Sequence, residues 1–162
     1  MKKIIIILVT FLLDRVSKFY LLDLEKSGTD IDFYINPFLN FYLVWNTGIG
    51  FGLISLQANI YYHMVTTLIV LINVVLLYFL IKSRGSYPYF LALIVGGSLG
   101  NLFDRIYYYA VPDFIDFHIM NYHWFIFNVA DIFISLGVIG LIFVELTKKE
   151  KHIKNVQKND LY

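Results

Sequence analysis

The chain of 162 residues contains no cysteine, which excludes disulfide bonds, thiol nucleophiles and metal sites built from cysteine. Charged residues are scarce at 15% of the chain, where a soluble domain has about a quarter. The net charge is only +1, so nothing in the composition favours a nucleic-acid partner. There is no HExxH motif, which disfavours a zinc peptidase. No Ser-Lys or Ser-His arrangement indicates a serine nucleophile.

Apolar residues are abundant instead. They make up 59% of the chain, and the mean hydropathy is +0.67. A soluble domain is usually about half apolar, so the excess indicates an integral membrane protein. Aromatic residues reach 19%, and such side chains concentrate at the two membrane interfaces. We therefore expect an all-α membrane protein whose single integral membrane domain covers residues 1–162.

Long apolar segments predict a bundle of four transmembrane helices. Their approximate bounds are residues 4–22, 58–81, 87–106 and 125–146, and a basic tail, expected to be partly disordered, covers residues 148–162. The first segment extends roughly 28 Å as a helix at ~1.5 Å per residue, which is enough to cross the hydrocarbon. No small-residue cleavage site follows it, so we expect it to be retained. In the third segment, Gly96, Gly97 and Gly100 form a small-residue patch suited to close helix packing.

Two aromatic connections lie between these segments on one side of the membrane. The first covers residues 23–57, and its aromatic and β-branched stretch at residues 38–45 predicts a strand or two on the membrane surface. The second covers residues 107–124, contains no Lys or Arg, and is predicted to be an external loop.

The basic residues predict the topology. Under the four-span arrangement, one side carries Lys2, Lys3, Lys82, Arg84, Lys148, Lys149, Lys151, Lys154 and Lys158. Only Lys26 lies clearly in an external connection. Lys and Arg concentrate in cytoplasmic segments, so both termini are predicted to be cytoplasmic and the aromatic connections extracytoplasmic.

Two carboxylates near the outer boundary are the candidate catalytic residues. Asp131 has no basic residue within a turn or two, and it would lie about 9 Å inside a fourth helix that begins at Phe125. Asp113 follows Pro112 in the connection before that helix and can fold back toward it. Two carboxyl groups held close together in low dielectric cannot both ionise easily, so one keeps a proton. Such a pair can activate water and protonate a leaving amine.

Other polar residues surround this pair in the sequence. Asn101, Asp104 and Arg105 share a helix face, and Asn128 shares a face with Asp131. We expect an ion pair between Arg105 and Asp104. Asp14 and Lys18 are four residues apart and can also pair, either functionally or as a simple ion pair with Arg15 and Lys18 extending to the surface. Asp116 is predicted to lie in a solvated loop.

Two other classes of function use the same residues. An ion or proton carrier could use Asp131, Asp104 and Asp14 as relay groups, although it would need acids through the full membrane depth. A structural subunit would use its acids only to pair with Arg15, Lys18 and Arg105.

Five sequence blocks carry a family resemblance. They are residues 14–18 (DRVSK), 46–52 (NTGIGFG), 96–105 (GGSLGNLFDR), 111–116 (VPDFID) and 127–131 (FNVAD). In this order, and over nearly the whole chain, they resemble the lipoprotein signal peptidases, or signal peptidase II, which are bacterial membrane aspartyl peptidases.

The resemblance implies a role for each matching position. The catalytic pair falls at Asp113 and Asp131. The positions expected to support the substrate and the site are Asn46, Gly48, Asn101, Asp104, Arg105, Asn128, Asp14 and Lys18. The strands of the first connection would form a small extracytoplasmic β-cradle beside the site.

The resemblance also implies an activity and a location. The substrate would be a diacylglyceryl-modified prolipoprotein, cleaved just before its lipidated cysteine without a metal or other cofactor. Membrane lipid and globomycin-type cyclic peptide inhibitors would be further partners. The protein would be a monomer in the bacterial cytoplasmic (inner) membrane, with its site at the extracytoplasmic face.

The sequence departs from the family pattern at a few positions. Pro112 stands where a small aliphatic residue is expected before the first catalytic Asp. Residues 125–127 (FIF) replace a proline-containing run, and Thr47 with Ile49 and Gly50 replaces a more alanine-rich version. None of these changes removes a carboxylate.

Overall fold

The structure, a computed structural model, describes residues 1–48, 60–120 and 122–159. The helices are α1 (Lys2–Lys26), α2 (Ile60–Lys82), α3 (Tyr87–Tyr108) and α4 (Val129–Asn159), and the strands are β1 (Asp32–Asn36), β2 (Leu39–Asn46), β3 (Val111–Ile119) and β4 (Tyr122–Phe127). The part of the second motif from Ile49 to Gly52 lies outside the described residues, as do the predicted start of the second span and the last three residues of the tail.

Helix α3 is central, with α1, α2 and α4 all packed against it. Small residues permit the close approach, as the sequence predicts. A Cβ atom added at Gly96 would stand 1.7 Å from Oγ1 of Thr10 in α1. One added at Gly97 would stand 2.5 Å from the backbone oxygen of Ala130 in α4. Both distances are far below van der Waals contact, so only glycine fits where α3 meets these two helices.

The outer surface of the bundle is apolar. Two of the described helical segments, Tyr62–Lys82 and Val129–Lys149, are long and apolar enough to cross a membrane. Only 11% of each segment is buried inside the protein, whereas the core helix of a soluble protein is mostly buried. Helices α1 and α3 carry buried residues of the charged types, among them Asp14, Lys18 and Asp104. Four helices are thus confirmed, and membrane crossing by α1 and α3 stays a prediction.

A four-stranded antiparallel sheet, with strand order β1-β2-β3-β4, joins the helices. The prediction of a strand at residues 38–45 is confirmed by β2, while β1 lies outside the predicted stretch. The prediction of a loop at residues 107–124 was wrong, because β3 and β4 form the other half of the sheet. Pro112 argues against a strand when the sequence is considered alone, yet it lies at the start of β3 opposite Trp45. Phe114 of β3 packs with Leu21 and Ile31 and anchors the sheet to α1.

The bounds of α4 differ from the prediction at both ends. The helix begins at Val129, not Phe125, because residues 125–127 pair with β3 as part of β4. It continues to Asn159, so the segment predicted to be a partly disordered tail is helical over most of its length.

Candidate active site

Asp113 and Asp131 are connected through Asn128. The Asn128 side chain donates from Nδ2 to Oδ1 of Asp113 at 2.5 Å. Its backbone N–H donates to Oδ2 of Asp131 at 3.2 Å, and the backbone N–H of Asp131 donates to Oδ1 of Asn128 at 3.1 Å. This reciprocal pair is a capping box at the start of α4. The two predicted carboxylates are therefore brought together around one fully buried asparagine.

Asp113 lies on β3 and is only 3% exposed. Its second carboxylate oxygen, Oδ2, accepts a hydrogen bond from Nδ2 of Asn46 at 2.9 Å. Burial and, after it, the negative charge of Asp131 raise the pKa of Asp113 to about 6. The hydrogen bonds from Asn46 and Asn128 oppose this shift without cancelling it. Asp113 thus retains a proton over part of the pH range in which an ordinary aspartate is ionised.

Asp131 lies in the first turn of α4, whereas the sequence placed it about 9 Å inside the helix. The difference follows from the later start of α4 at Val129. Oδ1 of Asp131 accepts a hydrogen bond from Nδ2 of Asn101 at 2.9 Å. Oδ1 of Asn101 in turn accepts a hydrogen bond from Nζ of Lys18 at 2.8 Å. Among the described residues, Asp131 thus accepts hydrogen bonds from amide groups of Asn101 and Asn128, and Asn101 connects it to the ammonium of Lys18.

A separate buried ion cluster consists of Asp14, Arg15, Lys18 and Asp104. Nζ of Lys18 lies 2.8 Å from Oδ1 of Asp14 and 2.7 Å from Oδ2 of Asp104. The Arg15 guanidinium donates to both oxygens of Asp104, at 2.5 and 2.7 Å, and to Oδ2 of Asp14 at 2.7 Å. The predicted pair of Asp14 with Lys18 is confirmed. Of the two alternatives for this pair, the one in which Lys18 and Arg15 extend to the surface was wrong, since their side chains are 1% and 16% exposed.

Asp14 also connects this cluster to the start of α4. Its Oδ1 accepts a hydrogen bond from the backbone N–H of Ala130 at 3.0 Å. The first N–H groups of a helix have no acceptor within that helix. Asp14, which belongs to α1, provides an acceptor for one of these N–H groups of α4. This contact fixes the backbone next to Asp131, and sequence spacing gave no signal for it because the two residues are 116 positions apart.

Arg105 does not form the predicted ion pair with Asp104. Its Nη2 donates to the backbone oxygen of Gly48 at 2.6 Å, while Asp104 pairs with the basic residues of α1. Consecutive residues on a helix point in different directions, which separates the two side chains. Among the described residues, Nε and Nη1 of Arg105 are buried without a hydrogen-bond partner. Oδ1 of Asn46 accepts from the backbone N–H of Gly48 at 2.9 Å, which links Arg105 to the residue that holds Asp113.

Asp116 was predicted to lie in a solvated loop, and this was wrong. It lies on β3, is 3% exposed, and accepts a hydrogen bond from Nδ1 of His123 at 2.8 Å. An acid and a histidine two residues apart in a strand share a face. The sequence D-F-H at residues 116–118 was therefore the signal that could have predicted a polar cluster around Asp116.

Comparison with solved structures defines the class of protein. The fold is similar to that of a bacterial membrane enzyme solved by the in meso method at 2.3 Å resolution, with a TM-score of 0.75, 29% identity, and coverage of 93% of this chain and 90% of that one. A second bacterial membrane enzyme, solved by the same method at 1.9 Å resolution, gives a TM-score of 0.72 and 30% identity over 90% of this chain and 92% of that one. The molecule is accordingly a bacterial membrane protein with the fold of an enzyme.

Sequence comparison identifies the family. The profile of Signal peptidase (SPase) II matches residues 6–147. The lipoprotein signal peptidase of Pelagibacter ubique (strain HTCC1062) is 50% identical over 156 residues, covering 96% of this chain and 93% of the relative. That of Anaplasma phagocytophilum (strain HZ) is 40% identical over 151 residues, covering 91% and 94%. The chain belongs to the signal peptidase II family and is a peptidase, which confirms the resemblance found in its motifs.

Proposed function

We propose that this protein is a membrane aspartyl endopeptidase that removes the signal peptide from diacylglyceryl-modified prolipoproteins, cleaving just before the lipidated cysteine. Its relatives bear the name lipoprotein signal peptidase. The observation that carries the proposal is the difference between two sets of acids. Asp14 and Asp104 are neutralised by Arg15 and Lys18, whereas Asp113 and Asp131 receive hydrogen bonds from asparagines.

Acids held by neutral amides are suited to proton transfer. A charged partner would hold both carboxyl groups ionised, while burial and mutual repulsion favour one shared proton. The raised pKa of Asp113, about 6, agrees with such a pair. These features support Asp113 and Asp131 as the catalytic residues.

The reaction follows from the shared proton. The ionised carboxylate accepts a proton from a water molecule, whose oxygen attacks the carbonyl carbon of the scissile bond. The protonated carboxyl donates to the carbonyl oxygen, which forms a tetrahedral intermediate. When the intermediate collapses, the ionised carboxylate takes a proton from one of its two hydroxyl groups and a new C=O bond forms. The C–N bond breaks, and the protonated carboxyl donates its proton to the leaving amine of the lipidated cysteine. The pair then holds one proton again.

The remaining site residues would position the substrate and the acids. Asn128, Asn46 and Asn101 orient the carboxyl groups through the hydrogen bonds described above. Two N–H groups of Arg105 that have no hydrogen-bond partner in the described part of the chain are suited to donate to a carbonyl oxygen of the bound precursor, and Gly48 fixes the guanidinium. The ion pair of Lys18 with Asp104 holds α1 against α3. The hydrogen bond from Ala130 to Asp14 holds α4 against α1.

The proposal includes a placement in the membrane. The single integral domain would cross the cytoplasmic membrane four times, with both termini inside and the site at the extracytoplasmic face. The basic residues and the exposed apolar helices support this. The sheet would form a cradle beside the site in the outer leaflet. The protein would act as a monomer, bind membrane lipid, and be inhibited by globomycin-type cyclic peptides.

The position of the acids disfavours an ion or proton carrier. Asp113 and Asp131 lie where α4 begins, beside the sheet, and Asp104 lies near the end of α3 that leads into β3. All of them are at one end of the bundle, while a carrier needs ionisable groups through the membrane depth.

The test uses purified protein and a lipidated precursor. Asp113→Asn and Asp131→Asn should each remain folded and lose cleavage, while Asp30→Asn, at an exposed position between α1 and β1, should cleave normally. A globomycin-type peptide should inhibit the wild type. Normal cleavage by either active-site variant would refute the assignment.

A further inference from the structure

A second polar cluster lies in the sheet, apart from the proposed catalytic pair. It consists of Asp116, His118 and His123, whose potential ligand atoms all lie within 4.8 Å of one another. Nδ1 of His123 is 2.8 Å from Oδ2 of Asp116, and Nδ1 of His118 is 3.5 Å from the same oxygen. The two imidazole rings stack with their centroids 5.0 Å apart. One carboxylate oxygen is thus approached by two ring nitrogens.

The strand register explains why these three side chains meet. Asp116 and His118 are two residues apart on β3 and share a face. On β4, Phe125 is opposite Phe117 while His123 is opposite His118, so β4 contains one extra residue at this point. Beyond such a β-bulge, the side chains of β4 that would point to one face of the sheet point to the other. It brings His123 to the face on which Asp116 and His118 lie.

The neighbouring strand adds oxygen atoms to the same face. Asn40 of β2 is directly opposite Asp116, and residues opposite each other in an antiparallel pair share a face. Asn40, Asp32 and Tyr42 line a cavity of about 410 Å³ together with Asp116 and His123. The cavity is therefore rich in potential oxygen and nitrogen ligands, and no Lys or Arg is among the described residues that line it.

Two buried polar atoms on this face, one in the cluster and one beside it, lack a hydrogen bond among the described residues. Nδ1 of His118 and Oδ1 of Asn40 have no hydrogen bond within the described part of the chain. His118 is only 7% exposed, and a buried polar atom without a partner is costly. A cation bound among these atoms would satisfy both at once.

We propose that Asp116, His118 and His123 bind a Zn²⁺ ion, with Oδ1 of Asn40 or a water molecule as the fourth ligand. Zn²⁺ prefers imidazole nitrogen and carboxylate oxygen at about 2.0–2.2 Å in tetrahedral geometry, which places ligand atoms roughly 3.3 Å apart. The observed separations of 2.8 and 3.5 Å bracket this value. The exposed side chain of His123, 56% accessible, can adjust to the ion and leaves an entry path.

The site would be structural and separate from peptide cleavage. Asp113 and Asp116 have different partners: Asp113 accepts hydrogen bonds from Asn46 and Asn128, whereas Asp116 contacts His123. A bound ion would join β3 to β4, and Asp113 extends from β3. Zn²⁺ would therefore stabilise the strand that carries one acid of the pair without touching the reaction.

The experiment is zinc titration of the full chain, purified without a histidine tag in detergent. The chain has four histidines, so His63→Ala, at an exposed position on α2, is a matched control. The wild type and His63→Ala should bind one Zn²⁺ and, with Co²⁺, show the visible absorption of a tetrahedral site. His123→Ala and Asp116→Asn should each weaken Zn²⁺ binding by more than about tenfold.

Thermal unfolding provides a second measurement. Zn²⁺ should raise the unfolding temperature of the wild type and of His63→Ala but not of His123→Ala. Because His123 is exposed and outside the proposed catalytic machinery, His123→Ala should fold and still cleave precursor. The proposal is overturned if the wild type binds no Zn²⁺ in a one-to-one ratio, or if His123→Ala binds it as tightly as His63→Ala. Either result would leave the cluster a hydrogen-bonded structural feature only.

Discussion

The Nδ2 atom of Asn128 lies 2.5 Å from Oδ1 of Asp113. The same asparagine caps α4 and exchanges two hydrogen bonds with Asp131. One residue therefore sets the position of a strand carboxylate, a helix carboxylate and the start of the helix. The geometry of the pair depends on Asn128 more than on any contact between the two acids themselves.

This dependence makes Asn128→Ala informative. The substitution removes the hydrogen bond to Asp113 and the side-chain cap of α4, and losing such a cap costs about 0.5–2 kcal/mol of stability. We expect kcat to fall by on the order of 10–100-fold, the range for losing a group that orients a functional residue, with a smaller change in KM. The measurement is steady-state cleavage of a lipidated precursor. Asn36→Ala, at an exposed strand end, should change neither constant. If Asn128→Ala retained full kcat, orientation by this residue would be unimportant.

The raised pKa of Asp113 predicts the pH dependence of cleavage. Since one member of the pair must hold a proton, kcat/KM should fall above an apparent pKa near 6, where Asp113 loses its proton, by about tenfold per pH unit at the alkaline limit. This apparent value belongs to the pair and not to one residue. A profile of kcat/KM between pH 4.5 and 8 would show it. Activity that stayed constant up to pH 8 would contradict a reaction that needs a protonated Asp113.

Much of this site follows from local sequence patterns. Apolar segments predict the helices because a membrane span needs a long apolar run, and the Gly96 and Gly97 patch predicts close packing of α3 because no larger side chain fits there. The capping box at Asn128 and Asp131 is likewise local, since it depends on a spacing of three residues. Interactions of this range leave a signal in the sequence.

The remaining features depend on long-range contacts, which spacing does not reveal. Asp104 pairs with Lys18 and with Arg15, which is 89 positions away, and not with the adjacent Arg105. Strand β3 begins at Val111 despite Pro112, because β2 on one side and β4 on the other supply its pairing. The same pairing buries Asp116 and delays the start of α4.

The pKa of Asp113 also predicts a change of stability with pH. An aspartate has a pKa near 3.9 in the unfolded chain and about 6 here, so between these values the folded protein binds more protons than the unfolded chain. Stability due to Asp113 is therefore greatest below pH 4 and decreases as the pH rises through 6. The shift of roughly 2 units corresponds to about 3 kcal/mol. The free energy of unfolding of the wild type, relative to Asp113→Asn, should fall by about this amount between pH 4 and 8.

The comparison requires reversible unfolding in mixed micelles at several pH values. Asp113→Asn cannot titrate at this position, so the difference between the two proteins isolates the contribution of the carboxyl group. Asp30→Asn should follow the wild type at every pH, because Asp30 is exposed. A difference that grew with pH in favour of the wild type would have the opposite sign and would exclude a raised pKa at Asp113.

Lys18 is the residue through which the ion cluster contacts the proposed catalytic network. Its Nζ is 2.7 Å from Asp104 and 2.8 Å from Asn101, the amide that holds Asp131. Removing one partner from a buried ion pair costs about 3–5 kcal/mol because the remaining charge is left without compensation.

Lys18→Met keeps most of the side-chain volume, so the loss of stability should be electrostatic. We expect it to lower the free energy of unfolding by about 3 kcal/mol, since Arg15 still neutralises part of the charge, and to lower kcat at temperatures where the protein remains folded. Lys26→Met, at the exposed end of α1, should have neither effect. Unchanged kcat in folded Lys18→Met would show that the cluster supports the helices but does not orient Asp131 through Asn101.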